Sequence, residues 1–141
     1  MKSLQKTFRV PFHELDPGGV LFHAHLFSHA HEAYAALLAE TGCSLKDFLE
    51  TGKYLIPLVH AEADYLHPLQ LDDEICVTVS TTSIGNSSMS FSYTFHKGDL
   101  LCATASTTQV FLDSQNKKPV PLPEALRQGL QETASNSYPV Q

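Results

Sequence analysis

Apolar residues recur along this chain with two different periods, and the changes of period mark out its elements. Period two comes first: Phe8, Val10 and Phe12 alternate with Thr7, Arg9 and Pro11, which predicts a strand over residues 6–13. Pro11 has no N–H to donate, so the strand belongs at a sheet edge or ends there. From Phe22 to Thr41 the period becomes helical. Leu26, Ala30, Ala33, Tyr34, Leu37 and Leu38 share a stripe that Phe22 and Phe27 widen, and Gly42 supplies the stop. This is longer than an average helix and the only long one, so a sheet is expected to pack on it.

Ser44-x-x-Asp47 ahead of Phe48-Leu49 reads as a capping box opening a short second helix, with Gly52 past its end. A strand over Leu55–Leu66 follows, with Val59, Ala61, Ala63 and Tyr65 on one face, and Pro68 closes it. Residues 72–84 are β-rich, and the turn Gly85-Asn86 leads to Ser88–His96. There Met89, Phe91, Tyr93 and Phe95 alternate with Ser and Thr, the signature of a strand buried on one side. Lys97-Gly98-Asp99 turns the chain into a long strand over Leu100–Leu112, and these three strands are expected to form an antiparallel meander. A polar turn over 113–118 and a proline-rich stretch precede a short helix from Pro123 or Glu124 to about Thr133. One domain over 1–133 with a frayed tail over 134–141 is expected, and the fold class is α+β.

Composition narrows the function classes. The 141 residues are 43% hydrophobic and 17% charged, a globular profile. The net charge is −6 and no basic block occurs, which argues against a nucleic-acid partner. Cys43, Cys76 and Cys102 are odd in number and widely spaced, which fits a reduced intracellular protein better than a disulfide framework. No apolar run reaches the roughly 18 residues a membrane span needs, and the N-terminus lacks the pattern of a signal peptide. A cytoplasmic protein with no membrane partner is expected.

The candidate chemistry sits where the first strand gives way to the long helix. Asp16-Pro17-Gly18-Gly19 is a tight turn, because Pro17 disfavours helix at Asp16 and the glycines admit dihedrals a Cβ would block. A carboxylate therefore stands just before the open N–H groups of a helix start. Such a pair can attack a carbonyl and stabilise the oxyanion, or it can be an ordinary turn that Asp16 caps; on the residues alone both stand. His23, His25, His29 and His31 cluster within nine residues. His25 and His29, one turn apart, can reach one metal ion with Glu32 or His60 as third ligand, but the pattern is not H-E-x-x-H, and no metal site is assigned.

The string Leu15-Asp16-Pro17-Gly18-Gly19-Val20-Leu21-Phe22-His23, followed by Phe27, Glu32 and Ala33 on the helix, resembles the hot-dog-fold acyl-CoA thioesterases of the 4-hydroxybenzoyl-CoA thioesterase type. The resemblance continues through Asp64-Tyr65-Leu66-His67-Pro68, Asp73-Glu74-Ile75 and Ser87-Ser88 into the strand Ala105–Leu112, reaching about residue 124. Within that type, Phe12–His23 and Ile56–Tyr65 look like the 1,4-dihydroxy-2-naphthoyl-CoA hydrolases of phylloquinone and menaquinone biosynthesis. The resemblance implies an antiparallel sheet wrapped around one long helix, a homodimer assembling to a homotetramer, and active sites between subunits. It also implies acyl-CoA as the substrate and no cofactor.

By the same resemblance Asp16 is the catalytic carboxylate, as nucleophile or as general base, and a main-chain N–H near Phe22 or His23, assigned to His23, is the oxyanion donor. Gly19, Phe22, His60, His67, Ser87 and Ser88 are the implied substrate contacts. Glu32 is a fallback carboxylate, because some relatives use a Glu on the long helix. One departure is that Tyr65-Leu66-His67-Pro68-Leu69 lacks the Arg many members carry. Contacts to the CoA phosphates then fall to a few groups: His67, Lys53, Lys97, Lys117, Lys118 or Arg127.

Overall fold

The computed structural model describes residues 1–132. Its elements are strand β1 (Ser3–Arg9), a 3-10 turn (Phe12–Glu14), helix α1 (His23–Glu40), helix α2 (Leu45–Thr51), strands β2 (Tyr54–Leu55), β3 (Leu58–Tyr65), β4 (Glu74–Ile84), β5 (Ser88–Lys97), β6 (Leu100–Val110) and β7 (Leu112–Asp113), and helix α3 (Glu124–Gln131). Five strands make one antiparallel sheet in the order β1-β4-β5-β6-β3, while β2 and β7 pair separately. The meander β4-β5-β6 is as the alternation predicts.

The sheet and α1 share the core. Ile75, Val77 and Val79 of β4, Met89, Phe91, Tyr93 and Phe95 of β5, and Ala103 and Ala105 of β6 are buried on one face. Against them lie Leu26, Ala30, Ala33, Tyr34, Leu37 and Leu38, the helical stripe read from the sequence. Tyr34 meets Phe91 edge-on, with ring centroids 5.2 Å apart, and burial pushes its phenol pKa far up, with Tyr93 adding to the shift. Tyr93 is pushed up to about 12 by burial, which outweighs its hydrogen bond to Thr107. Both rings therefore stay neutral. Gly42 ends α1 at a φ of +85°, and Ser44 caps α2 by accepting the Asp47 N–H at 3.2 Å.

Three expectations need correction. The first strand runs over Ser3–Arg9 rather than 6–13, because Pro11 ends the pairing and the chain turns; Phe12 is 78% exposed instead of facing the core. The strand Leu55–Leu66 is two pieces, β2 and β3, broken at Ile56-Pro57. Almost all of β3 is exposed, and of the face formed by Val59, Ala61, Ala63 and Tyr65 only Ala63 is partly buried against the core. The last helix ends at Gln131 rather than about Thr133, and the expected frayed tail lies outside the described residues. Among the described residues no helix is long and apolar enough to cross a membrane.

The arrangement gives the molecule a site end and a far end. Register places Tyr65, Ala103 and Cys76 toward one end of the sheet, together with Phe8, while Leu58, Gln109, Ser88 and Ile84 lie at the other. The Asp16 loop joins the first end through a bridge between Val20 and Gln70.

Candidate active site

The Asp16 loop is folded around its own carboxylate. Asp16 Oδ1 accepts the N–H of Gly18 at 2.8 Å and of Val20 at 3.3 Å. The backbone closes the same turn: Asp16 N–H donates to Val20 O at 2.8 Å, and Gly19 N–H to Asp16 O at 2.9 Å. Gly19 is at φ +82°, which only glycine adopts without strain. A Cβ on Gly18 would stand 3.2 Å from Asp16 Oδ1. One carboxylate oxygen is thus anchored, while Oδ2 takes no hydrogen bond among the described residues.

Helix α1 begins beside this loop without a side-chain cap. The N–H of Phe22 donates to Glu14 O at 2.8 Å, so it is already occupied. The N–H groups of His23 and Ala24 find no acceptor among the described residues. These open donors carry the positive end of an 18-residue helix dipole. Of the two positions offered for an oxyanion donor, only His23 is free. Tyr65 at the end of β3 donates its hydroxyl to the His23 carbonyl at 2.9 Å, tying the sheet to the helix start.

Asp16, Val20, Leu21, His23, Tyr65, Leu66, His67, Pro68 and Leu69 enclose a cavity of about 330 Å3. Its lining joins apolar residues to one acidic residue, Asp16, the helix start at His23, Tyr65 and His67. His67 is held by its Nδ1 near Leu101 O at 3.2 Å. Asp16, His23 and His67 therefore meet in one cavity, Gly19 shapes the loop, and Phe22 is the residue that leads into the helix.

The remaining assignments are not brought there within one chain. His60 sits on the exposed face of β3, 3.6 Å from Glu62, and five residues of extended strand, about 17 Å, separate it from Tyr65. Ser87 and Ser88 lie at the β4–β5 turn, at the far end of the sheet. Arg127 donates to the carbonyls of Gly85 and Asn86 at 2.9 Å each, so it braces that turn. Lys97 is paired with Asp73 at 2.9 Å, and Lys117 donates to Ser114 O. Glu32 lies nine residues beyond His23 on α1, about 13 Å along the axis, and lines no part of the cavity.

Two contributors escaped the sequence reading. Tyr65 was singled out only as part of a motif, and its bond spans 42 residues; Glu14, whose carbonyl takes the Phe22 N–H, carried no signal at all. Among the described residues no three of His, Cys, Asp and Glu converge as metal ligands. His29, half of the i, i+4 pair, is instead 2.7 Å from Glu14. A second, smaller cavity of about 90 Å3 lies further along α1, lined by Phe27, His31, Tyr34, Leu58 and Gln109 among others. Tyr34 Oη and Gln109 Oε1 are buried there without partners.

Comparison with known proteins decides the family. Residues 10–130 match the model of the thioesterase-like superfamily. This chain belongs to that family. A 1,4-dihydroxy-2-naphthoyl-CoA hydrolase of Synechococcus elongatus is 36% identical over 133 residues, covering 94% of this chain and 96% of the relative. Another of the same name, from Rippkaea orientalis, is 34% identical and covers 96% and 99% of the two chains. Among solved structures, a 1,4-dihydroxy-2-naphthoyl-CoA thioesterase from Synechocystis superposes with a TM-score of 0.87 at 24% identity, covering 92% of this chain and 96% of that one. The hot-dog fold expected from the Asp-Pro-Gly-Gly loop and the long helix is thereby met.

Proposed function

We propose that this thioesterase-family protein hydrolyses an aromatic acyl-CoA, 1,4-dihydroxy-2-naphthoyl-CoA, to the free acid and CoA. The observation that carries the reading is the meeting of the Asp16 carboxylate and the open His23 N–H in one cavity. The acyl class is supported by the relatives at 34–36% identity over nearly the whole chain.

A thioester carbonyl is strongly electrophilic and a thiolate leaves readily, so one carboxylate and one oxyanion donor suffice. Asp16 Oδ2 either attacks the acyl carbon, expelling CoA thiolate and leaving a mixed anhydride that water opens, or it takes a proton from an attacking water. In both routes negative charge develops on the acyl oxygen. A main-chain donor such as His23 N–H stabilises it by about 2.7–4 kcal/mol, with the helix dipole adding to the field. His67, at the cavity rim, suits a contact to the polyanionic CoA tail. No cofactor is required.

The reading includes a homodimer, with β3 as its seam. Leu58 and Val59 are 54% and 58% exposed on a strand whose outer edge pairs with nothing among the described residues. Long apolar edges of this kind are normally covered. Two copies pairing antiparallel along β3 would set Leu58 of one near Tyr65 of the other. His60 and the Ser87-Ser88 turn would then approach the partner's Asp16 cavity. The small cavity beside Leu58, lined also by Phe27, Tyr34 and Ile56, would offer an aromatic acyl group apolar contact. A homotetramer would pair two such dimers.

The test is a substrate panel read by release of free thiol: 1,4-dihydroxy-2-naphthoyl-CoA, 4-hydroxybenzoyl-CoA and a straight-chain acyl-CoA. The reading expects kcat/KM for the naphthoyl thioester to lead by about tenfold or more. A lead for either competitor overturns the substrate assignment, and no thiol release from any of them overturns the activity.

A further inference from the structure

We propose that Glu14 and His29 are a positioning pair for the Asp16 reaction, fixing the catalytic loop against α1 so that the Phe22 N–H stays occupied and the His23 N–H stays open. The proposal rests on the thioesterase reading above.

Glu14 precedes Asp16 by two residues and makes two separate attachments to α1. Its side chain, 12% exposed, accepts a hydrogen bond from His29 Nε2 at 2.7 Å, and the His29 side chain is itself 11% exposed. Its main-chain carbonyl accepts the Phe22 N–H at 2.8 Å. The loop is therefore pinned at the helix start and again in the second turn. Asp16 and His23 are attached to the two parts that Glu14 joins.

The imidazole is held on one face and at both nitrogens. Phe8 of β1 stacks on it with ring centroids 3.6 Å apart and planes within 6°. Its Nδ1 faces Glu32 Oε1 at 3.5 Å, and His13 Nε2 lies 3.8 Å from the second oxygen of Glu14. Glu32 and His13 are the other titratable groups beside the pair. Neither Glu14 nor His29 lines the Asp16 cavity, so the pair acts through the backbone rather than on substrate.

Stability alone does not call for charge at this position. Taking a carboxylate out of water costs several kcal/mol, and a well-packed apolar pair of similar volume is often as stable or more so. A charge-assisted hydrogen bond does give direction and a fixed length. Both matter where a shift of about 1 Å in a catalytic group can cost 10²-fold in rate.

The test compares Glu14→Ala, Glu14→Gln and His29→Gln by kcat and KM on 1,4-dihydroxy-2-naphthoyl-CoA, by thermal midpoint, and by amide exchange at Phe22. Glu14→Ala is expected to lower kcat roughly tenfold to 100-fold with KM changed by less than about threefold. It is also expected to speed exchange of the Phe22 N–H. Glu14→Gln retains an acceptor and is expected to recover all but about fivefold of kcat. Wild-type kcat together with unchanged Phe22 exchange in Glu14→Ala overturns the proposal. Should that variant not fold, His29→Gln, which keeps a donor and loses the imidazole, is judged by the same two readings. If the wild type does not hydrolyse the thioester, the functional reading fails, and Phe22 exchange still decides the pair.

Discussion

The hydroxyl of Tyr65 donates to the carbonyl of His23 at 2.9 Å, joining the end of a sheet strand to the first residue of the long helix. That carbonyl belongs to the residue whose N–H is the open donor, so the bond anchors the peptide that follows that donor. Burial raises the Tyr65 pKa, which keeps the phenol a donor throughout the neutral range. With the folded value above the unfolded one, its contribution is present below the ordinary tyrosine range and is lost as pH rises through the raised value. Tyr65→Phe is expected to lower stability by about 0.5–1.5 kcal/mol and to lower kcat by more than that loss alone explains. Denaturant unfolding and steady-state kinetics on one preparation separate the two.

The two glycines after Pro17 answer to different constraints. Gly19 needs its left-handed φ, so Gly19→Ala is expected to cost about 1–2 kcal/mol in unfolding experiments. Gly18 has no such φ, but its added Cβ would press on Asp16 Oδ1. Gly18→Ala is therefore expected to reduce kcat while changing the thermal midpoint less than Gly19→Ala does.

Asp73 supports the site from below. Its carboxylate accepts the Gln70 N–H at 2.9 Å, next to the Val20–Gln70 bridge, and pairs with Lys97. Burial alone would raise its pKa, but the Lys97 ammonium and the Gln70 N–H together outweigh it, and the net shift is downward. A lowered folded pKa means stability that is present above the ordinary carboxylate range and lost as pH falls toward the folded value. Asp73→Asn is expected to destabilise by about 1–3 kcal/mol at pH 7, with the gap to wild type narrowing at about pH 3. Calorimetry at the two pH values measures it.

The seam proposed along β3 is open to a direct test. Val59→Lys places a charge on an exposed apolar edge and touches no residue of either cavity. Sedimentation equilibrium is expected to show Val59→Lys in a smaller assembly than the wild type, with hydrolysis reduced if the partner's far end completes the site. An unchanged assembly would move the seam elsewhere.

How much of this was legible in the sequence follows from the range of the interactions. Helix α1, its stop at Gly42 and the Ser44 cap are local, set by residues three or four apart, and the helical stripe found its core partners. The Asp16 turn was legible for the same reason, since its bonds run from Asp16 to Gly18 and Val20. The start of β1 was not: on an edge strand only Leu4 is buried, and the alternation there is weak. Phe12 misled because an apolar residue next to Pro11 looks like a strand position but sits in an exposed turn. The Tyr65–His23 and Glu14–His29 contacts exist only after the sheet has packed on the helix, and no spacing in the chain announces them. The far placement of His60, Ser87 and Ser88 shows the same limit, because a motif's order along a chain does not say which subunit's site it would serve.

The most direct test of the account is single-turnover hydrolysis of 1,4-dihydroxy-2-naphthoyl-CoA by wild type and Asp16→Asn. The amide retains an oxygen to accept the Gly18 and Val20 N–H groups, so the loop keeps its shape while the carboxylate is lost. The account predicts a fall in rate of roughly 10²–10⁴-fold at an unchanged thermal midpoint. A rate within about twofold of wild type, in a folded variant, would contradict it.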